Sequence, residues 1–462
     1  MNTEELLKRF CDRMAARRVR LHGAVLISGG EVVGETYLGS YTRDTLTRMY
    51  STSKSVAAVA IGKLVGEGRI SLDDRITDLF SNRFDMSEAH PLLRELTVRN
   101  MLKMTTVYSK PTYNAGIKDW LASYFRATPD HAQDTVWGYD SCGSYVLGAL
   151  VKHITGLDFV EYLRPEFDIM GVSRGVYAIK GPDGEAWASS GFMATTADLG
   201  KIAYLLLNGG RWGDAQLIPE DYARDAISPL ERNDDKDTSS PYDCGYGYQI
   251  WSHPGGAFAF RGLGGQIAIG YPARDLVFSC NSDTSCNYHA YGDIFDAVAD
   301  IIAPAFPEIN PAARLSYPTV TETVLREVSG RTYTFDDNQI GISSLSLSGE
   351  GENMCLTYVK GGVECVLPIT AGRENRIVFP EKYSGEVLFD EERYMNYVSS
   401  VSAEWLSKRK LYIRVFAEDI YVGNMSLSIA FRDDGIVSVK ADHHAQFFFD
   451  GYAGTAWGRC SE

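Results

Sequence analysis

Nowhere in the 462 residues does an apolar run approach the ~20 residues that a membrane-spanning helix needs. The amino-terminal stretch MNTEELLKRFCDRMAARRVRLHG alternates charged and apolar residues at helical spacing. It has no continuous apolar segment and no small-residue cleavage site, so a surface helix of a cytoplasmic protein is expected. Runs of Lys and Arg are missing too, and 60 acidic against 45 basic residues leave a net charge of −15. That balance repels nucleic acid and anionic membranes, and neither is expected as a partner. The eight cysteines (Cys11, Cys142, Cys244, Cys280, Cys286, Cys355, Cys365 and Cys460) form no CxxC and no zinc spacing, which fits free thiols in a reducing compartment. There is no GxSxG elbow, HExxH helix, P-loop or dinucleotide fingerprint, and no internal repeat or low-complexity tract. No metal or cofactor is expected.

What is present is a globular composition, 45% hydrophobic and 23% charged, in a chain long enough for two or three domains. AVLISGGEVVGETYLG (24–39) predicts two strands joined at Gly29-Gly30, and QIAIGYP (266–272) and DLVFSCNS (275–282) predict two more. Between them lie helical patterns: SVAAVAIGKLVGEG, GSYVLGALVKHITG and TTADLGKIAYLLLNGG, the last with Thr195 or Thr196 as N-cap and Gly209-Gly210 as its stop. Strands at both ends of a helical middle predict an α+β unit in which the chain returns to one sheet, over residues 1–305. Pro304, Pro307, Pro311 and Pro318 mark a Pro-rich linker, assigned to 306–322. Beyond it, ISSLSLSG, MCLTYVK, VECVLPI, KLYIRVFA, MSLSIAF and GIVSVKA alternate polar and apolar residues between turns. Seven to nine short strands without a helix predict a small antiparallel β-barrel over 323–462.

The stretch MYSTSKSVAAVAIGKLV (49–65) places Ser51 three residues before Lys54, at the head of an apolar helix. Positions i and i+3 share a helix face, so the Ser51 hydroxyl lies beside the lysine. A serine hydroxyl is a weak nucleophile that needs a neighbour to take its proton. Lysine does this only if its pKa is lowered; otherwise it stays charged and lowers the pKa of a second base. The helix amino terminus adds partial positive charge and free N–H groups. The ordinary alternative is that Ser51 or Ser53 caps the helix while Lys54 points to water. Ser407-Lys408-Arg409-Lys410 matches the same short pattern within a charged turn and is assigned no chemistry.

WGYDSCGSYVLGALVKHITG (137–156) sets Tyr139, Asp140 and Ser141 in a turn before a second apolar helix, from which a phenol can face the first. AFRGLGGQIAIGYPARDLVF (259–278) opens a strand with Gly262, Gly264 and Gly265, where backbone can approach a ligand closely. From about residue 20 to 305 the chain resembles the serine beta-lactamase and penicillin-binding-protein superfamily, particularly its class C-like branch of esterases, D-aminopeptidases and related hydrolases. That family carries SxxK, then Tyr-x-Asn, then a Lys/His-Thr-Gly triplet on an edge strand. GEGRISLDDRITDLF, LTVRNMLKMTTV and SGFMATTADLGKIAYLLLNGGRWGDAQLIPEDY look like its framework stretches. A Pro-rich link to a lipocalin-like barrel also resembles members of this branch, some peptide-cyclising thioesterases among them.

The resemblance implies Ser51 as nucleophile, Lys54 as its activator and Tyr139 as general base and acid, its phenol brought toward neutrality by the adjacent ammonium. The ordinary alternative for Tyr139 is a core tyrosine. Two residues depart from the pattern. Ser141 stands where the family has asparagine, and the triplet reads Phe260-Arg261-Gly262, without a cation at its first position. This argues against recognition of a beta-lactam carboxylate. Arg261 either restores a carboxylate clamp or, facing the other side of the strand, is solvated. The N–H groups of Ser51 and Leu263 are the implied oxyanion hole, with Ser141 and Gly262 beside the substrate. His443-His444, His22 and His153 are read as surface or packing residues, and Asp73-Asp74 as a cap or loop pair. The expected activity is that of a serine hydrolase acting through an acyl-Ser51 intermediate on small esters, amides or peptides, with D-residues among them. An acyltransferase or peptide cyclase, and a ligand-binding protein that kept the fold without turnover, are the alternatives. The barrel either caps the cleft or, on fold analogy, takes a lipophilic ligand of its own.

Overall fold

The computed structural model describes residues 2–114, 116–233, 240–287, 289–383, 396–445 and 448–460. Within the first three hundred residues the strands at the two ends of the segment meet in one antiparallel sheet. Its members are β1 (Arg20–Ser28), β2 (Glu31–Tyr37), β3 (Trp251–His253), β4 (Ala257–Gly262), β5 (Gln266–Tyr271) and β6 (Leu276–Asp283). They run in the order β2-β1-β6-β5-β4-β3. The central strands β5 and β6 are buried along nearly their whole length, because helices cover both faces. Helices α1 (Thr3–Ala16) and α5 (Ala290–Ala297) cover one face. On the other face lie α2 (Thr52–Gly66), α3 (Ser141–Thr155) and α4 (Thr196–Leu207).

The local signals explain these helices. The Thr195 side chain caps α4 in a reciprocal box with Asp198, and the chain turns through Gly209 and Gly210 after it. Helix α2 is apolar all round and is buried on every side, as a helix with no polar face must be. Its first turn is tied in place by polar bonds: Ser53 Oγ donates to the Tyr50 carbonyl (2.5 Å) and accepts from the Phe192 N–H (2.9 Å). Ser55 Oγ donates to the Gln249 carbonyl (2.7 Å), and the Gln249 amide oxygen accepts from Ser144 on α3 (2.6 Å).

The carboxy-terminal sheet has ten strands rather than the expected seven to nine. They are β7 (Thr332–Phe335), β8 (Ile342–Glu350), β9 (Asn353–Lys360), β10 (Val363–Thr370), β11 (Glu374–Lys382), β12 (Asn396–Trp405), β13 (Lys410–Glu418), β14 (Val422–Phe431), β15 (Ile436–His444) and β16 (Gly454–Cys460). In the order β10-β9-β8-β7-β16-β15-β14-β13-β12-β11 they make a nearly closed antiparallel barrel, in which, among the described residues, β10 and β11 are the two ends left unpaired. Alternate side chains fill its interior with one apolar core. A short helix, Leu325–Val328, which the alternating pattern did not predict, packs on it. Residues 384–395, 446–447 and 461–462 of the expected barrel segment lie outside the described residues.

Candidate active site

Three side chains converge at the head of α2: Ser51 just before it, Lys54 in its first turn, and Tyr139 from the turn before α3. Ser51 is the residue before the helix proper; its backbone is already helical and its hydroxyl makes no capping bond, so the capping alternative does not hold. Tyr50 just before it adopts a left-handed conformation (φ 47°), a strained state for a non-glycine residue. Lys54 is only 2% exposed, which removes the reading that it points to water. Its ammonium nitrogen donates to Ser51 Oγ (3.3 Å) and to the Ser189 carbonyl (2.7 Å). It also lies over the Tyr139 ring, 4.9 Å from the centroid. The Ser51 hydroxyl in turn draws the Tyr139 phenol pKa down.

Burial overturns the expected direction of the Tyr139 shift. Desolvation brings Lys54 down to about 7, with the buried Asp140 carboxylate pulling weakly the other way. Tyr139 is pushed up to about 12 by desolvation, although its bond with Ser51 and the Arg261 charge lower it. The residue is 38% exposed to solvent, an opening that works against this rise. The group poised to change charge near neutral pH is therefore the lysine, while the phenol keeps its proton.

Asp140 is the N-cap of α3, and its carboxylate accepts from the Gly143 N–H (2.8 Å), Thr106 Oγ1 (3.0 Å) and the Tyr124 hydroxyl (3.2 Å). This fixes the turn that presents Tyr139. Ser141 is the first residue of α3, and the Lys54 ammonium donates to Ser51 and Ser189 rather than to it. Strand β4 passes close by: a Cβ on Gly262 would sit 2.4 Å from the Met49 carbonyl, so glycine alone admits this approach. Leu263 follows in an exposed turn, its side chain 67% accessible.

Phe260 and Arg261 face opposite sides of β4, as alternation requires. Phe260 is fully buried in the core beneath α2. Arg261 is not solvated, contrary to one expectation, nor free to clamp a substrate. Its guanidinium pairs with Asp243 (2.6 Å), donates to the Tyr242 and Ser252 carbonyls, and lies over Trp251 at 4.8 Å. The other singled-out residues lie in ordinary settings. His443 Nδ1 contacts the Tyr452 carbonyl, His22 stacks on Tyr41, and His153 stacks on Phe80. Asp73 pairs with Arg99, Asp74 accepts from the Ser71 N–H, and Lys408 meets Glu322.

Two parts of the site were not named from sequence. The Ser189 carbonyl is presented by the turn Trp187-Ala188-Ser189-Ser190-Gly191, in which the Trp187 indole donates to Ser189 Oγ (2.9 Å). A Gly preceding the strand Phe192–Ala194 was its signal, since a Cβ at Gly191 would meet the Ile179 carbonyl at 2.8 Å. Trp251, stacked on Tyr139 with centroids 5.5 Å apart, carried no signal beyond being aromatic.

A sheet covered by helices on both faces, with serine, lysine and tyrosine meeting at the head of α2, defines a class before any comparison is made. The chain belongs to the beta-lactamase family, whose sequence model matches residues 7–299. It is 22% identical over 249 residues to the 6-aminohexanoate-dimer hydrolase of Paenarthrobacter ureafaciens, a match taking in 49% of this chain and 63% of that relative. Among solved structures, SurE with D-Leu is similar over 99% of both chains (TM-score 0.54, 15% identity). EstCE1, a hydrolase with promiscuous acyltransferase activity, is similar over 64% of this chain and 99% of its own (TM-score 0.52, 14% identity). At these identities the structural likeness establishes the fold.

Proposed function

We propose that the protein is a serine hydrolase working through an acyl-Ser51 intermediate on small esters, amides or peptides. The observation that carries this reading is the buried Lys54, near pKa 7, whose nitrogen lies 3.3 Å from Ser51 Oγ. Neutral Lys54 accepts the serine proton as Oγ attacks the carbonyl carbon. The oxyanion is received by the N–H groups of Ser51 and Leu263. Collapse of the tetrahedral adduct expels the leaving group, which takes its proton from the Tyr139 phenol; Lys54 then reprotonates Tyr139. Water repeats the sequence on the acyl-enzyme and releases the acid.

The locked Arg261 and buried Phe260 offer no cation to a substrate carboxylate from this strand, which favours substrates recognised without one and disfavours beta-lactams. The amide-cleaving relative and the neighbour solved with D-Leu support amides and D-residues as the acyl part. Transfer to an amine is the second reading, favoured by the neighbour with acyltransferase activity. A non-catalytic binder is disfavoured, because simple binding gives no reason to desolvate an amine against a serine hydroxyl.

Intact-mass spectrometry of wild type and Ser51→Ala after exposure to a fluorophosphonate and to an activated ester tests the reading. One adduct per wild-type chain, mapped to Ser51 and absent from the variant, is expected. Folded wild type that stays unmodified from neutral to alkaline pH would overturn it. Adding an amine acceptor during turnover separates hydrolysis from transfer by the product formed.

A further inference from the structure

Behind Tyr139 lies a stack of charged and aromatic groups that the proposed proton transfers do not use. The Arg261 guanidinium lies over the Trp251 ring (4.8 Å), and Trp251 stacks on Tyr139 (5.5 Å, planes 26° apart). The Lys54 ammonium lies over the Tyr139 ring at 4.9 Å. The far end of the stack is built in. Asp243 pairs with Arg261 at 2.6 Å, Phe295 on α5 faces the same guanidinium at 5.1 Å, and Trp137 and Tyr246 pack edge-on against Trp251. A buried ion pair stabilises poorly compared with apolar packing, so its placement behind a reactive phenol calls for another explanation.

We infer that Arg261, held by Asp243 and acting through Trp251, is a positioning residue that fixes the Tyr139 ring for proton delivery to the leaving group. The triplet cation missing at Phe260 is thus replaced by one that serves the phenol from behind rather than the substrate. The inference rests on the acyl-Ser51 reading. The charged and titratable groups facing Tyr139 are Lys54 and Ser51 from the head of α2, Tyr291 from α5, Tyr246 from the preceding loop, and Arg261 from β4. Arg261 draws the phenol pKa down, while Tyr291 acts in the opposite direction. Stacking fixes the ring plane, and the added charge makes the phenol a better acid.

The test is the dependence of acylation rate on the leaving group, measured with alkyl butyrates whose alcohols span a range of acidity, beside 4-nitrophenyl butyrate. A poor leaving alkoxide needs the proton and an activated phenolate does not. Tyr139→Phe defines the steep slope expected without proton delivery. Trp251→Leu leaves the ion pair in place, and the double variant Arg261→Met/Asp243→Asn removes both charges so that neither is stranded. Both are expected to steepen the slope, losing about 10- to 100-fold with the most basic alcohol and less than about 3-fold with 4-nitrophenyl butyrate, with KM little changed. Arg261→Lys is expected to recover part of the loss. Equal losses across the series, or no loss, in variants whose wild-type parent still labels at Ser51 would overturn the positioning role alone. A wild type that does not label at Ser51 would overturn the acyl-enzyme reading, and this inference with it.

Discussion

At the scale of single residues, the chemistry turns on what burial does to Lys54. A lysine falling from 10.5 to about 7 is neutral in the folded protein over a range in which the unfolded chain keeps its proton. Acylation of Ser51 is therefore expected to rise with pH through a single ionisation near 7. In Lys54→Arg, which cannot lose its proton, the rate is expected to fall by about 100-fold or more and this limb to vanish; stopped-flow acylation against pH measures both. The same shift predicts stability. Below the folded pKa both states carry the proton, and the buried ammonium costs its full desolvation. As pH rises from about 7 toward 10.5 the unfolded state binds more protons, so folding stability grows. Lys54→Met is thus expected to be more stable than wild type by roughly 1–4 kcal/mol near pH 6, with the advantage shrinking toward pH 10, as followed by chemical denaturation. Spacing and helix periodicity set Ser51 beside Lys54 but left a capping serine and a solvated lysine open, and the roles came from the family resemblance. The direction of the tyrosine shift was not legible, because sequence does not disclose how far the fold desolvates the Tyr139 phenol. Nor did it disclose Arg261's partner, since Asp243 lies in a loop 18 residues upstream.

At the scale of elements, the site depends on how α3 seats the turn that offers the Ser189 carbonyl. Helix α3 crosses that turn at Gly148, where an added Cβ would lie 2.2 Å from the Ala188 Cβ. Gly148→Ala is expected to push the turn away from Lys54, costing about 1–3 kcal/mol of stability by overpacking. Acylation is expected to fall further than the loss of folded protein accounts for, a difference that active-site titration beside thermal melting detects. The long helices and the sheet returning at both ends were readable because their apolar periods are unbroken. The missed barrel strands explain themselves. Thr332–Phe335 is only four residues long, and Asn396–Trp405 carries serines at alternate and adjacent positions, which hides the apolar alternation.

At the scale of the whole molecule, the barrel is joined to the helical layer of the first region by named contacts. Ile436, at the start of β15, is 4% exposed and belongs to the apolar core of the first region. Near it in sequence, Arg432 pairs with Glu95 (2.7 Å) and Ser438 Oγ accepts from the Ala132 N–H (3.3 Å); elsewhere on the joint Arg232 pairs with Glu404 (2.8 Å). None of these contacts involves Ser51, Lys54 or Tyr139, so they attach the barrel to the helical layer rather than to the reacting groups. A charge buried at the joint is expected to uncouple the two regions. Ile436→Asp should convert one cooperative calorimetric transition into two, with Ser51 labelling retained at temperatures below the first.

The central claim is that Ser51 is acylated and then released. Rapid-quench mass spectrometry of the wild type mixed with 4-nitrophenyl butyrate follows the acyl-enzyme directly. One butyryl group per chain on Ser51, formed in a burst faster than steady turnover and decaying when substrate is exhausted, is the expected result. Turnover with no adduct on Ser51, or the same burst in Ser51→Ala, would contradict it.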